Sequence, residues 1–178
     1  MKKAFVIGGT GMLKDVSLWL AKQGYETTVL GRSPERIEIL TKQEHKILPL
    51  VADYNDLKDF QQELKNHIEH HGKFDLIIAW IHYSEKKVLD IVENENAGRT
   101  YDLYHIISSI QNANKVRQEI APTNTVSYYQ VQLGYKKENG KSRWLTNSEI
   151  AQGAIQSIET KKSVLIGQIE AIEDAPAY

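Results

Sequence analysis

Apolar residues along this chain gather in short runs. Between the runs they recur at helical spacing. Ala4-Phe-Val-Ile7, Thr27-Thr-Val-Leu30, Ile47-Leu-Pro-Leu-Val51, Leu76-Ile-Ile-Ala-Trp-Ile81, Ile106-Ile107 and Val164-Leu-Ile166 have the length and β-branched content of buried strands. Leu13, Val16 and Leu20, flanked by Met12 and Trp19, share one helical face. So do Ile37 and Leu40, then Leu57, Phe60, Leu64 and Ile68, then Val88, Leu89 and Val92, and finally Ile150, Ala154, Ile155 and Ile158. Strand and helix alternate, which predicts an α/β protein with a Rossmann-like doubly wound, mostly parallel sheet and helices on both faces.

Local signals set the boundaries. Gly24, Gly72 and Gly98 stop helices, Ser33-Pro34 starts one, and Thr146-Asn-Ser-Glu149 is a capping box. Pro49 cannot donate to a ladder, so the third strand is expected at an edge, as in a sheet of order 3-2-1-4-5-6-7. The fifth strand is expected over Arg99–Ser109, a helix over Gln111–Ile120, and a sixth strand over Val126–Tyr135. Asn139-Gly140 reads as a hairpin turn, and a seventh strand follows over Ser163–Ile169.

Composition narrows the class. The 178 residues suit one domain spanning 1–178, with an acidic tail over about 170–178. A net charge of −1 gives no electrostatic case for nucleic acid or an anionic membrane. No apolar stretch has membrane-spanning length, and a cytoplasmic protein is the expectation. Without cysteine there is no disulfide, thiol nucleophile or thiolate metal site. His67 and His71 have the spacing of a ligand pair, but no neighbouring acid completes a site, so no metal is expected.

The chemistry begins after the first strand, at Gly8-Gly-Thr-Gly-Met-Leu13. A pyrophosphate needs backbone N–H groups aimed at it, no Cβ in the way and a helix N-terminus behind. Gly8 and Gly11 fit the first two glycines of a G-x-x-G-x-x-G pattern. Lys14 stands at the third, which loosens or relocates the usual helix–strand packing. Gly8, Gly9, Thr10, Gly11, Met12 and Leu13 are therefore candidate cofactor contacts. An NAD site usually carries an acid at the end of the second strand for the ribose 2′-hydroxyl. Here Gly31-Arg32-Ser33 stands there, with Arg36 one turn on, so Arg32, Ser33 and Arg36 suit a 2′-phosphate and favour NADP(H) over NAD(H). Asp53-Tyr54 and Ala79-Trp80 arrive at the ends of the third and fourth strands. Trp80 and Tyr83 can stack on a ring. His82 is a candidate proton donor, and the competing reading is a polar strand-end residue bonded to backbone.

Val6-Ile-Gly-Gly-Thr-Gly-Met12, the Leu30-Gly-Arg32 ending and Asp53 together resemble the short-chain dehydrogenase/reductase superfamily, in its extended and atypical branches, from Met1 to about His82. The resemblance implies an adenine contact for Asp53, although a helix cap competes, with Asn55 as the rival for that cap. It implies a cofactor-lining role for the Ala79–His82 segment. A catalytic serine falls at Ser108 or Ser109, and a homodimer is the family's habit. The family's Tyr-x-x-x-Lys is absent: the Gln111–Ile120 helix holds Lys115 and no tyrosine, while Tyr128 and Tyr129 read as packing residues. The expectation is an oxidoreductase moving hydride between NADPH and a small-molecule acceptor, with neither nucleic acid nor membrane as partner. The alternative is a non-catalytic dinucleotide sensor or partner protein.

Overall fold

A computed structural model of the chain describes residues 1–169 and Pro176. Most of the expected acidic tail lies outside the described residues. β1 (Lys3–Ile7) leads through the glycine turn into α1 (Lys14–Lys22), and β2 (Glu26–Gly31) follows. α2 (Pro34–Gln43), β3 (Ile47–Val51), α3 (Leu57–His71), β4 (Leu76–Trp80), α4 (Glu85–Glu95), β5 (Tyr101–Ile107) and α5 (Ala113–Ile120) continue the alternation. β6 (Val126–Leu133), a hairpin of β7 (Tyr135–Glu138) and β8 (Lys141–Trp144), α6 (Asn147–Thr160) and β9 (Val164–Ile166) complete it.

Seven strands form one parallel sheet in the order β3-β2-β1-β4-β5-β6-β9, the order read from the sequence with β9 as its seventh strand. β3 is an edge, and Pro49 lies there paired to Val29 with its ring exposed. The hairpin turns at Asn139 and Gly140, both at positive φ, as a tight two-residue turn requires. β5 and β6 are shorter than expected. The Ser108–Gln111 and Gly134 segments leave the ladder to make a turn and a bridge.

Alternating strand residues feed two cores. Phe5, Ile7, Ile77, Leu103 and Ile107 face Phe60, Leu64, Val88, Val92 and Val116 of α3, α4 and α5. Ala4, Val6, Ile78, Tyr104 and Ile106 face α1 and α6, while Val29 and Ile47 pack with Leu40 of α2. Each fully buried aliphatic side chain contributes roughly 1.5–3 kcal/mol, so the two apolar layers fix the sheet and hold the strand ends in register. The carboxyl ends of β1, β2, β3 and β4 open on one crevice, beside the point where strand order reverses.

Candidate functional site

The glycine turn is built for close approach. Gly8 has φ +92°, a conformation glycine adopts without strain. A Cβ there would stand 3.3 Å from the Trp80 Cβ. Leu13 N–H donates to Gly8 O at 3.3 Å and Lys14 N–H to Gly11 O at 3.1 Å, so the turn folds directly into α1. No side chain caps that helix, and its N-terminal dipole opens toward the crevice.

The three glycines answer different demands. A Cβ on Gly9 would lie 2.7 Å from Ser17 Oγ and 2.9 Å from Val29 Cγ1. The close helix–strand packing that Lys14 displaces is therefore met at Gly9. Ser17 is buried and donates to Leu13 O at 3.1 Å and to Gly9 O at 3.3 Å. Gly11 is at neither a positive φ nor a crowded position: nothing lies within 4 Å of where its Cβ would be. The fold itself does not require glycine there. Lys14 is exposed on the first turn of α1, away from the residues that line the cleft.

A cleft of about 370 Å³ runs from this turn across the ends of β2, β3 and β4. Gly8, Thr10, Gly11 and Met12 line its first side, Arg32 its second, and Asp53, Tyr54, Trp80 and His82 the rest. Gly9, Leu13 and Ala79 are buried behind it and support it from the core. Ser33 is committed to α2: its Oγ accepts from Arg36 N–H at 3.4 Å and donates to Glu35 Oε2 at 2.9 Å. A bond from its own backbone N–H first, and the Ser33 hydroxyl second, hold the exposed Glu35 carboxyl below its ordinary value. Of the three residues expected around a 2′-phosphate, Arg32 alone lines the cleft, because Ser33 and Arg36 belong to the helix that starts there. Neither Asp53 nor Asn55 caps α3. Asp56 does, accepting from Asp59 N–H at 3.2 Å, while Asp53 Oδ1 accepts from Asn55 N–H at 2.9 Å in the turn before it.

The end of β4 joins this cleft to a wider groove of about 990 Å³, because Trp80, His82 and Tyr83 line both. Trp80 Nε1–H donates to His82 Nε2 at 3.1 Å, and His82 N–H donates to the Tyr54 hydroxyl at 3.3 Å. With Nε2 accepting, the proton of neutral His82 sits on Nδ1. Ser108 lines the groove and Ser109 does not. The turn holding Ser108 is fixed by Ser108 N–H donating to Gln111 Oε1 at 2.8 Å and by Gln132 Nε2 donating to Gln111 O at 2.8 Å.

Beneath the groove is a polar group that the sequence reading passed over. His105, fully buried on β5, has Nδ1 2.7 Å from the Tyr128 hydroxyl and Nε2 3.6 Å from Glu85 Oε1. Gln111 Nε2 donates to both Glu85 oxygens, at 3.3 and 3.2 Å. Tyr128 is therefore more than a packing residue, and burial pushes its phenol up to about 12. Tyr129 does pack, stacked on Tyr104 at 5.0 Å between ring centroids. The available signal was a histidine within an apolar strand, followed by Gln130 and Gln132 in the next.

Two of the α3 histidines bond within the fold. His67 Nε2 bonds the Thr28 hydroxyl at 2.8 Å, and His70 Nδ1 bonds Asn66 O at 2.7 Å. No cluster of three or more metal-ligating side chains occurs among the described residues. No helix among them is long and apolar enough to cross a membrane.

No protein-family model matches the chain. No curated protein matches it in sequence. In fold it is similar to solved short-chain dehydrogenase/reductase structures. YwfH, an NADPH-dependent reductase involved in bacilysin biosynthesis, superposes with a TM-score of 0.71 at 14% identity, over 94% of this chain and 99% of that one. A β-ketoacyl-acyl-carrier-protein reductase from Bacteroides thetaiotaomicron gives 0.69 at 12% identity, over 97% and 100%. An alcohol dehydrogenase from the archaeon Thermococcus sibiricus, complexed with 5-hydroxy-NADP, gives 0.68 at 14% identity, over 100% of both chains. Such identities show a shared fold, and function must come from the site.

Proposed function

We propose that this chain is an NADP(H)-binding protein of the short-chain dehydrogenase/reductase type. In this reading it is an oxidoreductase that moves hydride between NADPH and a small acceptor. The observation that carries the proposal is Gly11. Neither backbone conformation nor packing calls for glycine at that point, and its missing side chain leaves the cleft wall open to close approach by a ligand. A pyrophosphate lying against the turn and the α1 N-terminus is the ligand that motif accommodates. Fold similarity to an NADPH-dependent reductase and to an enzyme complexed with an NADP analogue supports the same reading.

Within it, Gly8, Thr10, Gly11 and Met12 hold the phosphates, Asp53 and Tyr54 lie toward the adenine, and Arg32 meets the 2′-phosphate. A bound nicotinamide supplies the hydride. Trp80, locked to His82 through its indole N–H, forms the wall between the cofactor cleft and the groove, where the acceptor binds. His82 presents Nδ1–H, and Ser108 adds a hydroxyl at the groove. A homodimer in the cytoplasm, with no nucleic-acid or membrane partner, completes the proposal.

Arg32 supplies the test of cofactor choice. Arg32→Ala removes a charge-assisted contact to one phosphate, so NADPH affinity falls roughly tenfold or more while NADH affinity stays within about threefold. Equal losses for both nucleotides sink the NADP assignment. One observation favours a second reading: α5 carries Lys115 and no tyrosine, which suits a dinucleotide sensor without catalysis. Tight NADPH binding with no turnover of carbonyl, quinone or flavin acceptors would select it.

A further inference from the structure

We propose that Glu85 is the proton-exchanging group of the groove, held in place by the buried His105–Tyr128 pair. The inference rests on the reading above for its chemistry, and on the geometry of four side chains for its existence. Glu85 opens α4 and lines the groove beside Ser108 and Gln111, partly exposed to it. Behind it stands His105 Nε2, buried and without a hydrogen-bond partner among the described residues, facing the carboxylate at 3.6 Å. An imidazole nitrogen is not left in that position without cost unless it has something to face.

The hydrogen bonds assign the direction of the chain. Gln130 Nε2 donates to the Tyr128 hydroxyl at 3.2 Å, so the phenol uses a lone pair there and has one hydrogen to give. His105 Nδ1 at 2.7 Å takes it. The ring's own hydrogen is then on Nε2, pointed at Glu85. The other tautomer would set a lone pair against a carboxylate. From the remaining elements, α5 sets the Arg117 guanidinium 4.9 Å from the Tyr128 ring centre, and Gln111 grips the carboxylate from the β5–α5 turn. Glu85 is thus the one acidic group in this set, and it lines the groove with Gln111.

The chemistry fits an alcohol–carbonyl pair. In the oxidising direction the ligand's hydroxyl proton passes to Glu85. The hydride leaves the carbinol carbon for the oxidised nicotinamide, and the C–O bond becomes C=O. The reverse direction returns both. Glu85 takes the place left by the missing Tyr-x-x-x-Lys, and His105, Gln111 and Tyr128 are its positioning residues. Trp80, His82 and Tyr83, shared by cleft and groove, bring the two ligands together.

The test reads the His105 ring N–H in the full chain by nitrogen-15 NMR, with no substrate needed. His105 is protonated at Nε2, and its ring proton exchanges with water through Glu85. In Glu85→Gln that exchange slows by about tenfold or more, whereas Glu85→Asp keeps it within about threefold of wild type. A ring protonated at Nδ1, or exchange in Glu85→Gln equal to wild type, overturns the inference. NADPH titration of the same samples separates the two claims. Unchanged exchange with intact NADPH binding defeats the Glu85 assignment alone. Slowed exchange in a protein that binds no NADPH defeats the functional reading alone.

Discussion

Gly9 and Gly11 sit two residues apart and fail in opposite ways when altered. Gly9 is squeezed between Ser17, Val29 and Val6, so Gly9→Ala forces atoms apart in a closed core and costs about 1–3 kcal/mol of stability, read by urea unfolding. Gly11 has open space around it, so Gly11→Val leaves stability within about 1 kcal/mol of wild type. The same substitution plants a side chain where the phosphates would lie, and NADPH binding is lost. A Gly11→Val protein that binds NADPH as wild type does would remove the main support for the site. Both glycines are plain in the sequence, but their division of labour is not. Which one packs and which one waits for a ligand depends on how α1 leans on β1 and β2.

Helix α3 shows how an element ties its stability to pH. It seats His67 against Thr28 of β2, and burial first, with the neighbouring His71 second, lowers the His67 imidazole from 6.5 to about 4. The folded state then binds fewer protons than the unfolded state between those values. His67 contributes its full stabilisation above about pH 6.5, and this is lost progressively as pH falls toward 4, on the order of 2–3 kcal/mol across the window. His67→Gln keeps a partner for Thr28 without titrating. The stability difference between wild type and variant should therefore change between pH 6.5 and 4 and stay flat from 7 to 8. A constant difference across the whole range contradicts this account. Elements of this kind were largely legible: the caps at Ser33 and Thr146, the stops at Gly24 and Gly72, and the edge position of Pro49 all follow from local chemistry. The cap of α3 was not, because Asp53, Asn55 and Asp56 offer equivalent side chains and only the path out of β3 selects Asp56.

At the scale of the molecule, hydrophobic periodicity and one glycine turn suffice to order the seven strands, since right-handed crossovers leave few alternatives. The site was legible as far as a single strand–turn–helix unit carries it. Arg32 lines the cleft, while Ser33 and Arg36, adjacent in sequence, turn into a helix. Glu85, His105 and Tyr128 lie about twenty residues apart, and only the pairing of β5 with β6 beneath α4 assembles them. Local pattern has no access to such a contact. The central claim is that the crevice holds a phosphorylated dinucleotide, and the most direct measurement is a titration of the purified protein with NADPH and NADH, read by nicotinamide fluorescence. The account predicts saturable NADPH binding at least about tenfold tighter than NADH. Binding of neither nucleotide, or a preference for NADH, contradicts it.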